Sequence, residues 1–292
     1  MSLISNEFYA IPGRHTDVTS FGIGATDIGE VVEVVQGVLV YDLVAKDLYG
    51  VDLAPSQAET VHQRDAKALL DSAQQIDARL LSETRPPETR VGGRCNTYSL
   101  LTVALLRAVG IPARSRCGFA TYFVPGYYED HWIAEYWDEG QRRWVMVDAQ
   151  LDATWRRLYG IDPNLNVVRV DGQEFLTGGH AWQAWRAGEL DADRCGLTSI
   201  PEHGAFWIAQ NLRLDFAALN KVEMLPWDIW GLHWEPPEVP TAEMLATFDA
   251  IAELTTDPDA RFAELRHRYD TDDLLRMDGN VFSVALGKQQ QI

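Results

Sequence analysis

The strongest hydrophobic period in the chain follows Cys95. Leu100, Leu101, Ala104, Leu105 and Ala108 recur at intervals of three and four, one face of a helix, and Gly110 with Pro112 ends it. Residues 60–81 carry the same period through Val61, Leu69, Leu70, Ala73, Ile76 and Leu80, until Pro86 and Pro87 forbid continuation. Residues 30–43 place Val31, Val32, Val34, Val35, Val38 and Leu39 at helical spacing, and we read a helix there although valine favours strands. Residues 1–29 are Gly-rich and read as irregular.

A second pattern begins after a strand over 115–119. Residues 131–137 and 144–148 are rich in aromatic and β-branched side chains and flank a polar turn, which predicts a hairpin. Pairing Trp137 with Trp144 sets Ile133 opposite Asp148, so His131 shares a face with Asp148 as a diagonal neighbour. A slip of one residue would put them on opposite faces. Beyond residue 152 the chain becomes helical and rich in tryptophan. Residues 204–224 show helical spacing, Thr241 offers an N-cap for a helix to Leu254, and Asp257-Pro258 opens another through Phe262 and Leu265. Residues 285–292 read as a frayed tail. The expected organisation is a core over 1–151 with N-terminal helices, and a mainly helical elaboration over 152–292 packed on it.

These patterns set Cys95 at a helix N-terminus, after Gly92-Gly93-Arg94. Unpaired backbone N–H groups and the helix dipole favour a thiolate at such a position. A cysteine so placed is either a nucleophile or an ordinary small core residue. A histidine beside it can take its proton, and a carboxylate beside that histidine can fix the tautomer.

The order of elements resembles the transglutaminase-like superfamily of papain-type thiol enzymes, in its bacterial stand-alone form. The matching residues are Cys95, then Leu105 to Arg114 with Gly110-Ile111-Pro112, then Gly118-Phe119, Asp130-His131-Trp132, Trp144 and Asp148, about 60 residues in all. The resemblance implies an α+β papain-like core, a helix carrying the cysteine packed on an antiparallel sheet. It implies that Cys95 is the nucleophile, His131 the general base and then acid, and Asp148 the orienter. Bacterial members often carry Arg-Asp after the cysteine, where this chain has Asn96-Thr97; the departure bears on substrate preference. The stretch from Leu219 to Gly231 is also similar to the C-terminal part of some bacterial members.

The implied chemistry is acyl transfer through a thioester on Cys95, with a peptide, amide or acyl-thioester substrate. Water as acceptor gives a protease or amidase, the favoured reading. An amine acceptor gives a transglutaminase or amide-forming acyltransferase. A catalytically inactive binding protein on the same fold is the rival class. Trp132 and Trp144 flank the histidine and aspartate in sequence and are candidates to line the site. Trp227 and Trp230, with Trp234, are candidates for an aromatic substrate shelf.

Composition narrows these classes. The chain has 292 residues, 46% hydrophobic, with 25 basic against 43 acidic residues and a net charge of −18. Such a surface argues against nucleic acid and anionic membranes as partners. Three cysteines make no disulfide framework; Cys117 reads as core, and Cys195, in a loop-like stretch, as either core or reactive. The first residues lack the basic and apolar regions of a signal peptide, and no 18-residue apolar run is present, so a cytoplasmic location is expected. His15, His62, His180, His203, His233 and His267 show no metal-ligand spacing, so no metal is expected. Residues 22–27 lack the third glycine of a dinucleotide fingerprint, and no cofactor is expected.

Overall fold

The computed structural model describes residues 3–162, 165–170, 173–277 and 279–292. The chain divides into two compact units built from interleaved stretches, one from Asn6–Ser115 and Trp132–Asp171, the other from Met1–Ser5, Arg116–His131 and Gly172–Ile292. Helix and antiparallel-rich sheet are mixed along the chain.

The first unit is organised around the valine-rich helix Ile28–Val38 and the helix Cys95–Ala108. Asp27 starts the former by accepting the Glu30 N–H at 3.0 Å. Val31, Val32, Val34, Val35 and Val38 are buried, so tertiary burial overrides their strand preference. The helix stops at Val38, earlier than its spacing predicts. Leu39–Tyr41 continues as strand β1, pairing in parallel with β2, Val91–Gly93. The helix expected over 60–81 is shorter, Ala66–Ile76, because Asp65 caps its start through the Ala68 N–H and the chain turns extended at Asp77. The N-terminus departs from the irregular stretch expected: Leu3–Ala10 is helical. Within this unit the Tyr9 carbonyl accepts a bond from the buried Arg107 guanidinium, and the Tyr9 ring meets Trp144 edge-on at 5.5 Å.

Strands β3 (Ala113–Ala120) and β4 (Tyr128–Asp138) each have residues in both units. In the first unit β4 forms the predicted hairpin with β5, Arg143–Val147, in the predicted register: Trp137 faces Trp144 and Ala134 faces Val147. Val145, Val147 and Tyr136 join Leu100, Leu101, Val103, Ala104, Leu105 and Leu106 in one core cluster. Arg114 is stacked 4.0 Å from the Trp144 ring and paired with Glu135 at 2.6 Å, both charges buried.

In the second unit β3 pairs with β6 (Phe175–Thr177), β4 with β7 (Cys195–Leu197), and β7 with β8 (Glu202–His203). Gly118 of β3 lies so close to β6 that a Cβ there would sit 2.2 Å from the Leu176 carbonyl oxygen; only glycine fits. The helices Gly178–Arg186, Ala205–Leu219 and Ala242–Thr256 pack on one another. Thr241 caps the last of these through the Met244 N–H, as predicted. Asp215 joins three elements: it pairs with Arg116 through both oxygens at 2.9 Å and accepts the Cys117 N–H, while Arg116 also reaches the Thr255 carbonyl. The C-terminal tail is not frayed. Strand β9 (Asp228–Ile229) pairs with β10 (Asn280–Ser283), and β10 with β11 (Lys288–Gln291), because a backbone ladder needs no apolar side chains. Among the described residues no helix is long and apolar enough to cross a membrane.

Candidate active site

Cys95 is the first residue of its helix. What sets it there is the close packing of β2. A Cβ on Gly92 would come within 2.6 Å of the Gln57 carbonyl oxygen, and the Thr60 hydroxyl bonds both the Gly92 and Gln57 carbonyls. Arg94 then caps the helix. Its N–H donates to the Thr97 hydroxyl and its carbonyl accepts the Thr97 and Tyr98 N–H groups. Its guanidinium grips Asp42 bidentately, at 3.0 and 2.9 Å. As the first helical residue, Cys95 keeps its own N–H outside the intrahelical ladder. Ser99, one turn on, ties the helix to β4 by donating to the Ile133 carbonyl at 2.6 Å.

The three thiols differ sharply. Cys95 is half-buried, whereas Cys117 and Cys195 are fully buried. The Cys195 thiol points at the Asp191 carbonyl, and burial pushes it up to about 12, with the Asp191 carboxylate adding to the effect. Cys195, open to either role from sequence, is thus a core thiol, as is Cys117.

Asp148 directly follows β5 in the same unit as Cys95 and is 1% exposed. Its N–H donates to the Val167 carbonyl, and its Oδ1 accepts the Gln150 N–H at 3.0 Å, so its own turn holds the carboxylate. The nearby Asp152 is engaged in caps: one oxygen accepts the Thr154 and Trp155 N–H groups, the other the Tyr49 hydroxyl at 2.6 Å. Burial and that carboxylate push the Tyr49 phenol upward.

His131 belongs to the other unit, as the last residue of its Arg116–His131 stretch, and is 2% exposed. Three rings meet the imidazole edge-to-face: Phe123 at 5.0 Å, Tyr122 at 6.1 Å and Phe175 at 6.5 Å between centroids. On its N-terminal side the Asp130 carboxylate accepts the Asn211 side-chain N–H and the Trp207 indole N–H, each at 3.0 Å. Burial raises Asp130 to about 6; the two hydrogen bonds and the neighbouring His131 act against the rise.

The candidate tryptophans occupy several environments. Trp132 is buried, and its indole N–H and that of Trp144 are enclosed without a hydrogen-bond partner among the described residues. Trp144 lies half-buried beneath Arg114. Trp230 is enclosed, stacked 4.1 Å from the Arg213 guanidinium and bonded to the Leu275 carbonyl. Burial lowers Arg213 to about 9 while the Trp230, Leu232 and Asp228 carbonyls hold it. Trp227 is half-buried, and Trp234 bonds the Glu238 carbonyl. Among the described residues no cluster of three or more His, Cys, Asp or Glu is arranged to hold a metal ion.

Sequence reasoning missed Asn211, Trp207, Tyr122, Phe123 and Phe175 as neighbours of the His131 segment. Asn211 carried a signal: with Arg213 and Asp215 it is a polar residue inside a run whose other members, Ile208, Ala209, Leu212 and Phe216, are core residues.

Residues 65–149 match the model of the transglutaminase-like superfamily. No curated protein matches the chain. Among solved structures, one from Cytophaga hutchinsonii, provisionally named a cysteine protease, is similar at 16% identity and a TM-score of 0.29, over 61% of this chain and 46% of that one. At that level the likeness carries no argument.

Proposed function

We propose that the protein, whose residues 65–149 match the model of the transglutaminase-like superfamily, is a cysteine-dependent acyl-transfer enzyme using Cys95, His131 and Asp148. The observation that carries the reading is the contrast between the thiols. Cys95 stands half-buried at the first position of a capped helix, while the other two are fully enclosed. The substrate is an amide, peptide or acyl thioester. His131 takes the Cys95 proton, and the thiolate attacks the carbonyl carbon. The Cys95 N–H, outside the helix ladder, is one donor toward the developing oxyanion. The intermediate collapses to a thioester on Cys95, and the leaving group departs with the proton from His131. Asp148 holds the imidazole in the tautomer this requires and stabilises the imidazolium. Water then releases the acyl group, making the enzyme a hydrolase; an amine in its place would make an amide.

The test is to incubate the protein with a panel of N-acyl amino-acid benzyl thioesters, quench with acid and read the mass of the Cys95 peptide. The reading requires an acyl adduct on Cys95, absent in Cys95→Ser. Absence of any adduct across the panel, with Cys95 no more reactive than a free thiol, favours a binding protein instead. Product masses after adding amines decide between water and amine as acceptor.

A further inference from the structure

The aromatic rings around His131 are held in place. Two of them, Tyr122 and Phe123, sit on the β3–β4 connection, which is pinned at both ends within its unit. At its start the Thr121 N–H and hydroxyl bond the Glu174 carbonyl at 3.0 and 3.2 Å. At its far end the Gly126 carbonyl accepts a bond from Arg194, whose guanidinium also lies 6.0 Å from the Tyr128 ring. Tyr122 and Phe123 contact each other at 4.8 Å, and both keep part of their surface exposed. The carboxylates next to His131 in sequence are directed elsewhere, Glu129 to the Thr198 N–H and Asp130 to Asn211 and Trp207. In this unit the imidazole meets three aromatic rings, Phe123, Tyr122 and Phe175.

We infer that Tyr122 and Phe123 form the subsite for the leaving group, or for an amine acceptor, and select an aromatic or large apolar substituent on that amine. The inference rests on the function proposed above and follows from the path of the proton. In the collapse of the intermediate the C–N bond breaks and its electron pair stays on nitrogen. The nitrogen takes the proton that His131 received from Cys95 and leaves as a neutral amine, while the C–S bond remains. To take that proton the nitrogen must lie about 2.6–3.2 Å from an imidazole nitrogen. Its substituent then lies beside the imidazole, whose ring neighbours include Phe123 and Tyr122 at 5.0 and 6.1 Å between centroids. Those rings offer apolar area and a single hydroxyl, so an apolar substituent gains there and a strongly hydrated one loses its water. The attacking amine of the reverse step occupies the same place.

The experiment uses the full chain and the benzyl thioester panel with competing acceptors: glycinamide, leucinamide, phenylalaninamide and lysinamide at equal concentration. Product ratios compare acceptors on one acyl-enzyme, so they do not depend on the fraction of folded protein. We expect phenylalaninamide and leucinamide products to exceed the glycinamide product about tenfold, and this excess to fall below about threefold in Tyr122→Ala and Phe123→Ala. Phe123→Leu, which keeps apolar volume, should retain most of it. An acylated Cys95 that uses all four acceptors equally, or prefers lysinamide, overturns the subsite and leaves the proposed function standing. Hydrolysis with no amine product is read through the leaving group instead, by the same preference among N-acyl amides of the four amines; its absence likewise overturns the subsite. No acyl adduct on Cys95 at all removes the proposed function and the subsite with it.

Discussion

Asn211 donates one side-chain N–H to the Asp130 carboxylate and another to the Gly118 carbonyl, both at 3.0 Å, and so joins the helix Ala205–Leu219 to two strands at once. Asp130 immediately precedes His131, which makes Asn211 a positioning residue for the segment bearing the proposed base. Asn211→Ala leaves a carbonyl and a carboxylate each short of a buried donor. The expected loss is about 1–3 kcal/mol of stability, measured by urea denaturation. A loss below about 0.5 kcal/mol would mean that water replaces the amide and that the bridge is incidental.

Asp130 also imprints a pH dependence. Its folded value, raised to about 6, lies above that of a solvated carboxyl, so the native state binds the proton more tightly than the unfolded chain. Between about pH 4 and 6 this residue therefore lowers stability as pH rises, by up to about 3 kcal/mol across the window. Other carboxylates mask the slope in the wild type. The difference in unfolding free energy between wild type and Asp130→Asn isolates it, and should favour wild type progressively more as pH falls from 7 to 4. A difference independent of pH would show that Asp130 titrates as an ordinary surface carboxyl.

The legible parts of this protein are those fixed by neighbours in sequence. The hairpin register is one, because Trp137 and Trp144 stand symmetrically about a short polar turn. The start of the Cys95 helix is another, since Gly92-Gly93-Arg94 precedes an apolar period of helical spacing. Features that depend on distant partners were hidden. The helical period after Glu30 continues past Val38, yet Leu39–Tyr41 is claimed by Val91–Gly93. Asp215 and Asn211 sit in a stretch that reads as plain helix, while their partners Arg116 and Asp130 lie 99 and 81 residues away. The rings around His131 come from the β3–β4 connection and from β6, which no local period brings together.

The thiols give a direct chemical test. Burial alone predicts that iodoacetamide labels Cys95 before Cys117 and Cys195, and the upward displacement of Cys195 to about 12 leaves it almost no thiolate at neutral pH. Activation by His131 adds a second expectation that burial does not make. At pH 6.5 the labelling of Cys95 should slow about tenfold or more in His131→Ala, with equal rates for both proteins in guanidinium. Identical native rates would remove His131 as the base.

Asp148→Asn separates the carboxylate's chemistry from its structural part. The native turn uses Asp148 Oδ1 as acceptor for the Gln150 N–H, and the asparagine carbonyl oxygen can accept the same bond. The turn itself should therefore lose less than about 1 kcal/mol, because the Gln150 N–H keeps its acceptor. What asparagine cannot supply is the negative charge that stabilises an imidazolium and selects its tautomer. If Asp148 orients His131, turnover falls, by up to about 10⁴-fold on the precedent of the serine-protease aspartate, with the melting temperature nearly unchanged. Full activity in Asp148→Asn would point to another carboxylate. Both alternatives already serve other partners, Asp152 a helix cap and Tyr49, and Asp130 the Asn211 and Trp207 N–H groups, but Asp130 also sits next to His131 in the chain. The double comparison of Asp148→Asn with Asp130→Asn therefore assigns the role. A collapse of turnover confined to Asp148→Asn identifies the orienter, and a collapse confined to Asp130→Asn transfers the role to the residue that Asn211 holds.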